Sequence, residues 1–421
     1  MSTPAPLVNE PVRVRAALYD RFKQAYSDKG AALLPEGAVL MPQLLIDAAT
    51  WILTHCPTPD LPPGVVRRLH AWALDLRRIG FPSAEFPTVA GMLADVAEFD
   101  TNARAVILAA AEEMRRAAAD ADEAGIPAAS AAQVMEVNRD GAHRHGRASK
   151  RGGGDAGVRV VRLESGMPVD YLPGQVLPVM QVGRQGVWRG LAPAMPSNSL
   201  GQLEFHVDGE IDPKVGSYLT LGAARGPSPA LDGKRALIVA SGSGLAAAKS
   251  LVFALLERET RPQVHLIVAA ESPADFYDLP AFAVLAKAQD WLEVTRAVEH
   301  DTADADTGDA DGAGGPDGAR GGRGAGAGGG RGAGQSAGAV GADGSGAERA
   351  VAELPQIWAP LTKLVAAPGI WWDRDVVLCG TQARTDELHN ALLQAGAGAQ
   401  AGEITVIAHD AAPDWTSPPE A

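Results

Sequence analysis

The feature that most constrains the fold of this chain is the alternation of strand-like and helix-like patterns that begins at Arg235. Short runs rich in Val, Ile and Leu alternate with longer segments of helical periodicity. The predicted strands are RALIVA, QVHLIVA, WLEVTRAV, DVVLCG and EITVI, and the predicted helices cover 244–258, about 277–288 and 384–395. This order is typical of a doubly wound parallel sheet. We therefore expect an α/β domain over residues 233–421.

A glycine turn joins the first of these strands to the first helix, in the stretch ALIVASGSGLAAAKSLVFALLE. Glycine tolerates positive φ and lets a ligand approach the backbone closely. The N–H groups at the start of the following helix attract an anion such as a phosphate. The candidate ligand-binding residues are Ser241, Gly242, Ser243, Gly244 and Leu245. Such a turn also serves purely to pack a helix on a sheet, so both interpretations stay open here.

A second strand of this domain ends at another candidate ligand contact, Cys379, Gly380 and Thr381, in VVLCGTQARTDELHNALL. Ligands of open α/β sheets bind at the carboxyl edge, where the strand order switches. We expect both turns at that edge, with Cys379 at the lip of the cleft. A small buried cysteine at a strand end is the alternative.

Residues 158–232 have a different pattern, in which short alternating runs are separated by Gly, Pro, Asn and Asp. The runs VRVVRLE, QVLPVMQV, LEFHVD and YLTLGA predict a small antiparallel β-barrel or a sandwich. Residues 1–137 instead place apolar side chains three and four positions apart, which predicts an all-α domain. No alternating β pattern interrupts that region.

Two further segments are predicted to lie outside these domains. Residues 138–157 are polar, basic and Gly-rich, which predicts a linker. Its histidines, His143 and His145, have no neighbouring residues to complete a metal site, so they are expected to be solvated. Residues 301–348 carry almost no large apolar side chains, which predicts a disordered insertion.

The overall charge and the cysteine count exclude several classes of function. A formal net charge of -14 argues against nucleic acid or an anionic membrane as the main partner. Two widely separated cysteines suggest a reduced compartment. There is no apolar run of membrane-spanning length and no signal-peptide pattern. The sequence therefore predicts a cytoplasmic protein with no membrane or nucleic-acid partner.

Four stretches resemble the ferredoxin–NADP reductase superfamily over residues 158–410. They are YLPGQVLPV (its PGQ strand), ASGSGLAAAKSL (its GGTGIAP turn), VHLIVAAESPADFYDLPAFAVLA (the next strand and helix) and VVLCGTQARTDELHNALLQAG (its CGP strand end). With a helical domain ahead of them, the whole chain resembles a flavohaemoglobin, a nitric oxide dioxygenase. The resemblance implies an all-α globin-like domain, a β-barrel of the FAD-binding type, and a doubly wound NAD(P)-binding domain.

Two stretches of the helical part contribute to this resemblance. LYDRF resembles the family's FYDRMF, which implies that Tyr19 is the catalytic distal tyrosine; Tyr19 fits an amphipathic core position equally well. IGFPSAEFPTVAGMLADV resembles the segment after the proximal histidine, whose place is taken by Leu76. Leucine cannot ligate iron. His70, nearly two helical turns earlier, is the alternative haem ligand, or else a partly exposed helix histidine.

The flavin motif of the family, RxYS, corresponds to WRGLAP in this chain. Arg189 remains as a candidate cofactor contact, while Leu191 and Ala192 replace the tyrosine and the serine. The family's C-terminal aromatic, which covers the flavin, has its place in IAHD, with His409. The resemblance therefore implies an eroded FAD site and an eroded haem site beside a better-preserved NAD(P)H turn.

Two function classes follow from this comparison. The first is a degenerate flavohaemoglobin-like protein that has become nucleotide-responsive or partner-binding. The alternative is an active NAD(P)H- and FAD-dependent nitric oxide dioxygenase or reductase that passes electrons to a globin haem. A third possibility is a ligand-sensing globin with another cofactor in an apolar pocket.

Overall fold

The protein is described from a computed structural model that covers residues 7, 9–31, 39–138, 157–182, 188–208, 211–299, 344–367, 369–399 and 401–410. Its N-terminal region is helical. The helices are α1 Pro11–Ala31, α2 Gln43–His55, α3 Pro63–Arg77, α4 Phe86–Val96 and α5 Thr101–Glu123. Asp100 begins α5 by accepting the Ala103 N–H at 2.7 Å. None of the described helices combines the length and the apolar character that a membrane crossing requires.

The helices pack around one apolar core, as their three- and four-residue spacing predicted. Along α3 the core-facing positions are Val65, Leu69, Trp72 and Ala73, all under 5% exposed. The end of α3 docks on the second region of the chain. There Asp75 lies 3.5 Å from Arg225, and the Arg78 guanidinium stacks 4.5 Å from the ring centre of Trp188.

The second region is a curled antiparallel sheet of six strands in the order β4-β3-β6-β1-β2-β5. The strands are β1 Ser130–Asn138, β2 Arg159–Ser165, β3 Leu177–Gln181, β4 Trp188–Leu191, β5 Gln202–Val207 and β6 Tyr218–Leu221. A bridge between Pro193 and Phe205 brings the two edges together. The predicted antiparallel β-region is confirmed, with its apolar residues facing one another inside the curl.

The expected boundary at residue 137 needs a correction, because β1 was assigned to the helical domain. Residues 130–138 pair with β2 on one side and with β6 on the other. The segment SAAQVMEVN has only two β-branched residues, Val134 and Val137, and its pairing with two neighbouring strands decides its conformation. The predicted linker, apart from its ends, lies outside the described residues, as do His143 and His145.

The third region is a parallel sheet of six strands in the order β10-β9-β8-β7-β11-β12. The strands are β7 Arg235–Ser241, β8 Gln263–Ala270, β9 Leu292–Val298, β10 Gln356–Trp358, β11 Asp375–Gly380 and β12 Ile404–Ala408. The connecting helices are α6 Leu245–Leu256, α7 Leu279–Ala288, α8 Gly344–Ala352, α9 Leu361–Val365 and α10 Gln382–Gln394. The parallel sheet predicted from the alternating pattern is confirmed, whereas β10, α8 and α9 were not predicted from the sequence.

Helices cover both faces of this sheet. Alternate residues of β7 separate into two cores: Ala236, Ile238 and Ala240 face α6 and α7, while Leu237 and Val239 face α9 and α10. Most of the predicted insertion at 301–348 lies outside the described residues. Its last five positions, 344–348, belong to α8, so the insertion is shorter than expected.

Candidate functional site

The two glycine turns meet at the carboxyl edge of the parallel sheet. β7 lies between β8 and β11, so the strand order reverses between β7 and β11. The turn 242–244 follows β7, and Thr381 follows β11. The N-termini of α6 and α10 therefore open on the same edge, at the position where ligands of such sheets bind. The expectation that both turns share this edge is confirmed.

The two glycines of the first turn have different roles. Gly242 is exposed, has φ +57°, and has no heavy atom within 4 Å of the position that a Cβ would take. A Cβ on Gly244 would instead lie 2.3 Å from the carbonyl oxygen of Cys379. Gly244 is thus required for packing α6 on β11, and Leu245 is buried beside it. Of the two glycines, only Gly242 has the open space that a ligand would need.

Three side chains fix the shape of this turn. The Ser243 hydroxyl donates to Asp208 at 2.6 Å and lies 3.0 Å from Nε2 of His409. The Tyr277 hydroxyl donates to the carbonyl of Gly242 at 3.0 Å. Ser243 is buried, and its hydroxyl faces these partners inside the protein. Ser241 is only half-buried. A hydroxyl with these partners is not free for a ligand.

Cys379 does not lie at the lip of the cleft. It is fully buried in the apolar core between the sheet and α6, and burial raises the pKa of its thiol. Its strand β11 lies between β7 and β12, which places its side chain inside the domain. The adjoining Gly380 is buried and accepts the His409 N–H at 3.2 Å, while Thr381 is half-buried. The alternative of a buried strand-end cysteine is the correct one.

The strand expected to contact a flavin is covered by the chain itself. Arg189 is exposed on β4 and donates to the carbonyl of Trp188 at 3.2 Å. Leu191 and Ala192 are 5% and 4% exposed and belong to the apolar cores. A Cβ on Gly190 would lie 2.0 Å from the carbonyl oxygen of His409. At the positions matched to the family's tyrosine and serine, this strand therefore presents neither an aromatic ring nor a hydroxyl.

Neither histidine of the helical region lies at the position matched to the proximal ligand, which is Leu76. Nε2 of His70 is 2.7 Å from Glu113 on α5, and the side chain is 43% exposed. Nδ1 of His55 is 2.8 Å from the Trp51 carbonyl oxygen. Leu76 occupies the position matched to the proximal histidine and packs against the helical core, so neither His70 nor His55 lies there. Tyr19 is half-buried at the edge of that core, with the Lys23 ammonium 5.5 Å from its ring centre.

A group of buried charges that the sequence analysis missed lies between the two sheets. We call Glu204 and His206 of β5, Lys249 of α6 and Asp278 before α7 the inter-sheet cluster. The Lys249 ammonium donates to Glu204 at 2.7 Å and to Asp278 at 2.6 Å. Nε2 of His206 is 3.4 Å from each of those carboxylates, and its Nδ1 is 3.1 Å from the Tyr277 hydroxyl. The cluster is therefore linked through Tyr277 to the glycine turn.

The charges of this cluster stabilise one another. Burial alone would raise the pKa of Glu204, but His206, the Lys249 ammonium and Arg162 hold it well below its usual range. The pKa of Asp278 is lowered against the same burial effect by His206 and Lys249. The pKa of Lys249 is raised, since its two carboxylates outweigh the burial that lowers it. Both acids and the lysine are thus charged at neutral pH.

Glu204, His206 and Asp278 also have the donor types and spacing of a metal site, with ligand atoms within 4.8 Å of one another. The Lys249 ammonium already bridges the two carboxylates and supplies the positive charge there. A divalent cation would have to displace it. The cluster is therefore an ionic contact between the sheets.

Two sequence signals could have indicated the cluster. Lys249 is the one charged residue in the apolar stretch LAAAKSLVFALL, and charged groups in such helices need a partner. Glu204 and His206 are two positions apart, so they share one face of β5 while Leu203, Phe205 and Val207 face the curl. Neither signal identifies the partner.

Comparison with solved structures supports the three-part architecture. The chain is similar to a flavohaemoglobin from Malassezia yamatoensis, solved with bound FAD and haem, at 15% identity and a TM-score of 0.60. The match covers 97% of this chain and 99% of that one. At this identity the match shows a shared fold. The predicted resemblance to flavohaemoglobins is confirmed at that level.

Two further solved structures match about two thirds of the chain. One is the ferredoxin reductase of carbazole 1,9a-dioxygenase, at 20% identity, covering 67% of this chain and 69% of that one, with a TM-score of 0.45. The other is a cytochrome P450 reductase from Amycolatopsis, at 17% identity, 67% and 69% coverage, and a TM-score of 0.45. Neither score by itself establishes a shared fold. No family model and no curated protein matches the chain.

In fold, then, the chain is similar to a flavohaemoglobin, with a helical region followed by an antiparallel sheet and a parallel sheet.

Proposed function

We propose that this chain is a flavohaemoglobin-like protein that has lost electron transfer through flavin and haem and keeps a dinucleotide site at its first glycine turn. The observation that carries the proposal is Gly242, which is exposed, has positive φ, and opens on free space at the start of α6. It lies where the strand order of the sheet reverses. A dinucleotide phosphate would accept N–H groups there.

The loss of haem chemistry is supported by the imidazoles of the helical region. In a globin, the haem iron is held by a proximal histidine. His70 would have to leave Glu113 and turn from a half-exposed position into the core, and Leu76 fills the matched place. The active-dioxygenase alternative depends on that rearrangement.

The loss of the flavin is supported by β4. The His409 carbonyl lies against Gly190, and the positions of the family's tyrosine and serine hold the buried side chains of Leu191 and Ala192. Neither side chain can stack on an exposed ring or donate to a phosphate. A charge-assisted hydrogen bond is worth about 1.5–3 kcal/mol, so the loss of two contacts weakens binding by roughly a hundredfold or more.

The first test is the visible absorption spectrum of the protein, made in cells supplied with a haem precursor and riboflavin. We expect no Soret band, no flavin band and no NAD(P)H-dependent consumption of nitric oxide. A stoichiometric Soret band that disappears in His70→Ala would identify His70 as the haem ligand and refute the loss of haem, and consumption of nitric oxide by that protein would then support the active-enzyme alternative.

The second test is isothermal titration calorimetry of the protein with NADH and with NADPH. Weak binding in the micromolar to millimolar range is expected, and Gly242→Val should abolish it by filling the open space. Gly125→Val is the matched control, because Gly125 also has positive φ and open surroundings but lies after α5, in the helical part of the chain. Absence of binding in the parent protein, or equal losses in both variants, would refute the nucleotide site.

A further inference from the structure

One tyrosine connects the first glycine turn to the inter-sheet cluster. The hydroxyl of Tyr277 lies 3.0 Å from the carbonyl oxygen of Gly242 and 3.1 Å from Nδ1 of His206. The rings of His206 and Tyr277 meet edge-on, with their centroids 5.2 Å apart. Tyr277 is 7% exposed, so water hardly competes for either contact.

The number of available hydrogens fixes the direction of these two hydrogen bonds. A tyrosine hydroxyl has one hydrogen, and a carbonyl oxygen can only accept. Tyr277 therefore donates to Gly242, and its oxygen accepts from the Nδ1–H of His206. Burial, reinforced by nearby carboxylates, raises the pKa of Tyr277, so the hydroxyl keeps its hydrogen. The bonds thus run in one direction, from the cluster to the turn.

The Gly242 carbonyl belongs to the same peptide group as the N–H of Ser243. In a planar trans peptide the carbonyl and the N–H point in opposite directions. A carbonyl held toward Tyr277 therefore aims the Ser243 N–H away from the cluster. The N–H groups at such a helix start are the ones that would meet a phosphate.

Gly242 does not fix the orientation of this peptide by itself. Glycine takes positive and negative φ about equally well. At Gly242, which has φ +57°, no heavy atom lies within 4 Å of the position that a Cβ would take. Its carbonyl accepts the neighbouring Leu245 N–H and, from 35 residues further along the chain, the Tyr277 hydroxyl. The orientation therefore depends on a donor from a distant segment.

We propose that Tyr277 is the positioning residue of the first glycine turn and holds the peptide between Gly242 and Ser243 with its N–H toward a nucleotide phosphate. This inference rests on the nucleotide site proposed above and adds the side chain that shapes it. His206 orients the Tyr277 hydroxyl from the inter-sheet cluster. A peptide that is already held in place loses less freedom when the ligand arrives, which strengthens binding.

The binding test is calorimetric titration of the parent, Tyr277→Phe and Tyr171→Phe with NADH and with NADPH. Tyr171 is the matched control, because it is also 7% exposed and its hydroxyl also donates to a carbonyl, that of Met195, at 3.0 Å. It lies in the core of the antiparallel sheet. Both variants keep the ring and lose one buried hydrogen bond, so their losses of stability should be similar.

The two variants should differ in affinity. Tyr277→Phe should bind the nucleotide about three- to tenfold more weakly than the parent, the factor that one hydrogen bond commonly contributes. Tyr171→Phe should bind like the parent. Equal affinities of the two variants would overturn the positioning role, because the loss would then follow stability alone.

A measurement without nucleotide reports on the peptide directly. The sequence contains three Gly-Ser pairs, at 216–217, 242–243 and 344–345. Isotope labels on the glycine carbonyl carbon and the serine nitrogen therefore give three carbonyl signals in nuclear magnetic resonance. Loss of one signal in Gly242→Ala identifies that of Gly242. This signal should change its chemical shift in Tyr277→Phe and keep it in Tyr171→Phe, while the other two stay in place.

The outcomes separate this inference from the nucleotide site. Absence of binding in the parent refutes the nucleotide site and, with it, the positioning of a ligand. Binding that is equal in the parent and Tyr277→Phe, or a Gly242 signal that does not move, refutes the role of Tyr277 and leaves the nucleotide site standing. Weaker binding together with a moved Gly242 signal, in Tyr277→Phe and not in Tyr171→Phe, supports it.

Discussion

Replacing Lys249 by Met tests whether the inter-sheet cluster holds the two β regions together. The substitution keeps the length of the side chain and removes the ammonium that bridges Glu204 and Asp278. It leaves two carboxylates facing each other in the interface, with His206 and Arg162 as their remaining partners. We expect a large loss of stability and no change of fold.

The magnitude follows from the burial of the three side chains. Lys249, Glu204 and Asp278 are 7%, 6% and 16% exposed, so solvent screens their interactions weakly. Removing one partner of such a buried ion pair costs about 3–5 kcal/mol, because the remaining charge is buried without compensation. The matched control is Lys287→Met, since Lys287 pairs with Glu353 where both side chains are more than half exposed. An exposed pair is worth about 1 kcal/mol or less.

The effect should depend on pH in a defined direction. The folded-state pKa values of Glu204 and Asp278 are lowered. The stability that these carboxylates contribute is therefore present above their unfolded-state pKa values near 4, and it is lost as the pH falls through their folded-state pKa values. The pKa of Lys249 is raised, so its contribution is present below its unfolded value of about 10.4 and is lost at higher pH. The deficit of Lys249→Met should therefore be greatest near neutral pH and shrink on acidification.

The assay is urea unfolding followed by circular dichroism at several pH values, for the parent and both variants. Hydrogen exchange in β5 and α6 shows whether the loss is located at the interface. Equal effects of Lys249→Met and Lys287→Met, or a deficit that does not shrink as the pH falls below about 4, would refute the electrostatic account.

Three further predictions concern single positions. Gly244→Ala should destabilise the fold by about 3 kcal/mol, because its Cβ would meet the backbone of β11. Gly242→Ala should cost only about 1–2 kcal/mol, for its positive φ. The reverse ranking in urea unfolding would contradict the packing role of Gly244. Cys379 and Cys56 are buried, with thiol pKa values raised by burial, so a thiol reagent should modify them only after denaturation. His70→Ala should lower the free energy of unfolding in urea by about 1 kcal/mol or less, since the ring is partly exposed. The visible absorption spectrum should stay unchanged. A change in visible absorption would show that His70 ligates a chromophore.

Local sequence patterns were sufficient for the elements that carry strong periodicity. The strands of the parallel sheet are runs of Val, Ile and Leu between helical segments, and the chain order alone places the ends of β7 and β11 at one edge. The helical region and the antiparallel strands followed from spacing in the same way. Residues 130–138 were the exception, because a segment with only two β-branched residues becomes a strand through pairing with its two neighbours.

Tertiary contacts between segments far apart in the chain decided whether each candidate side chain is open to a ligand or serves packing. The SGSG pattern cannot show that Gly244 contacts Cys379 while Gly242 stays open, since this depends on how closely β11 approaches α6. Nor can it show that Lys249 meets Glu204, 45 residues earlier, or that His409 reaches Ser243 across 166 residues. A sequence determines which residues can form strands, helices and turns, because those preferences are local. Which hydrogen-bonding groups are left for a ligand is decided only when distant segments pack and satisfy one another.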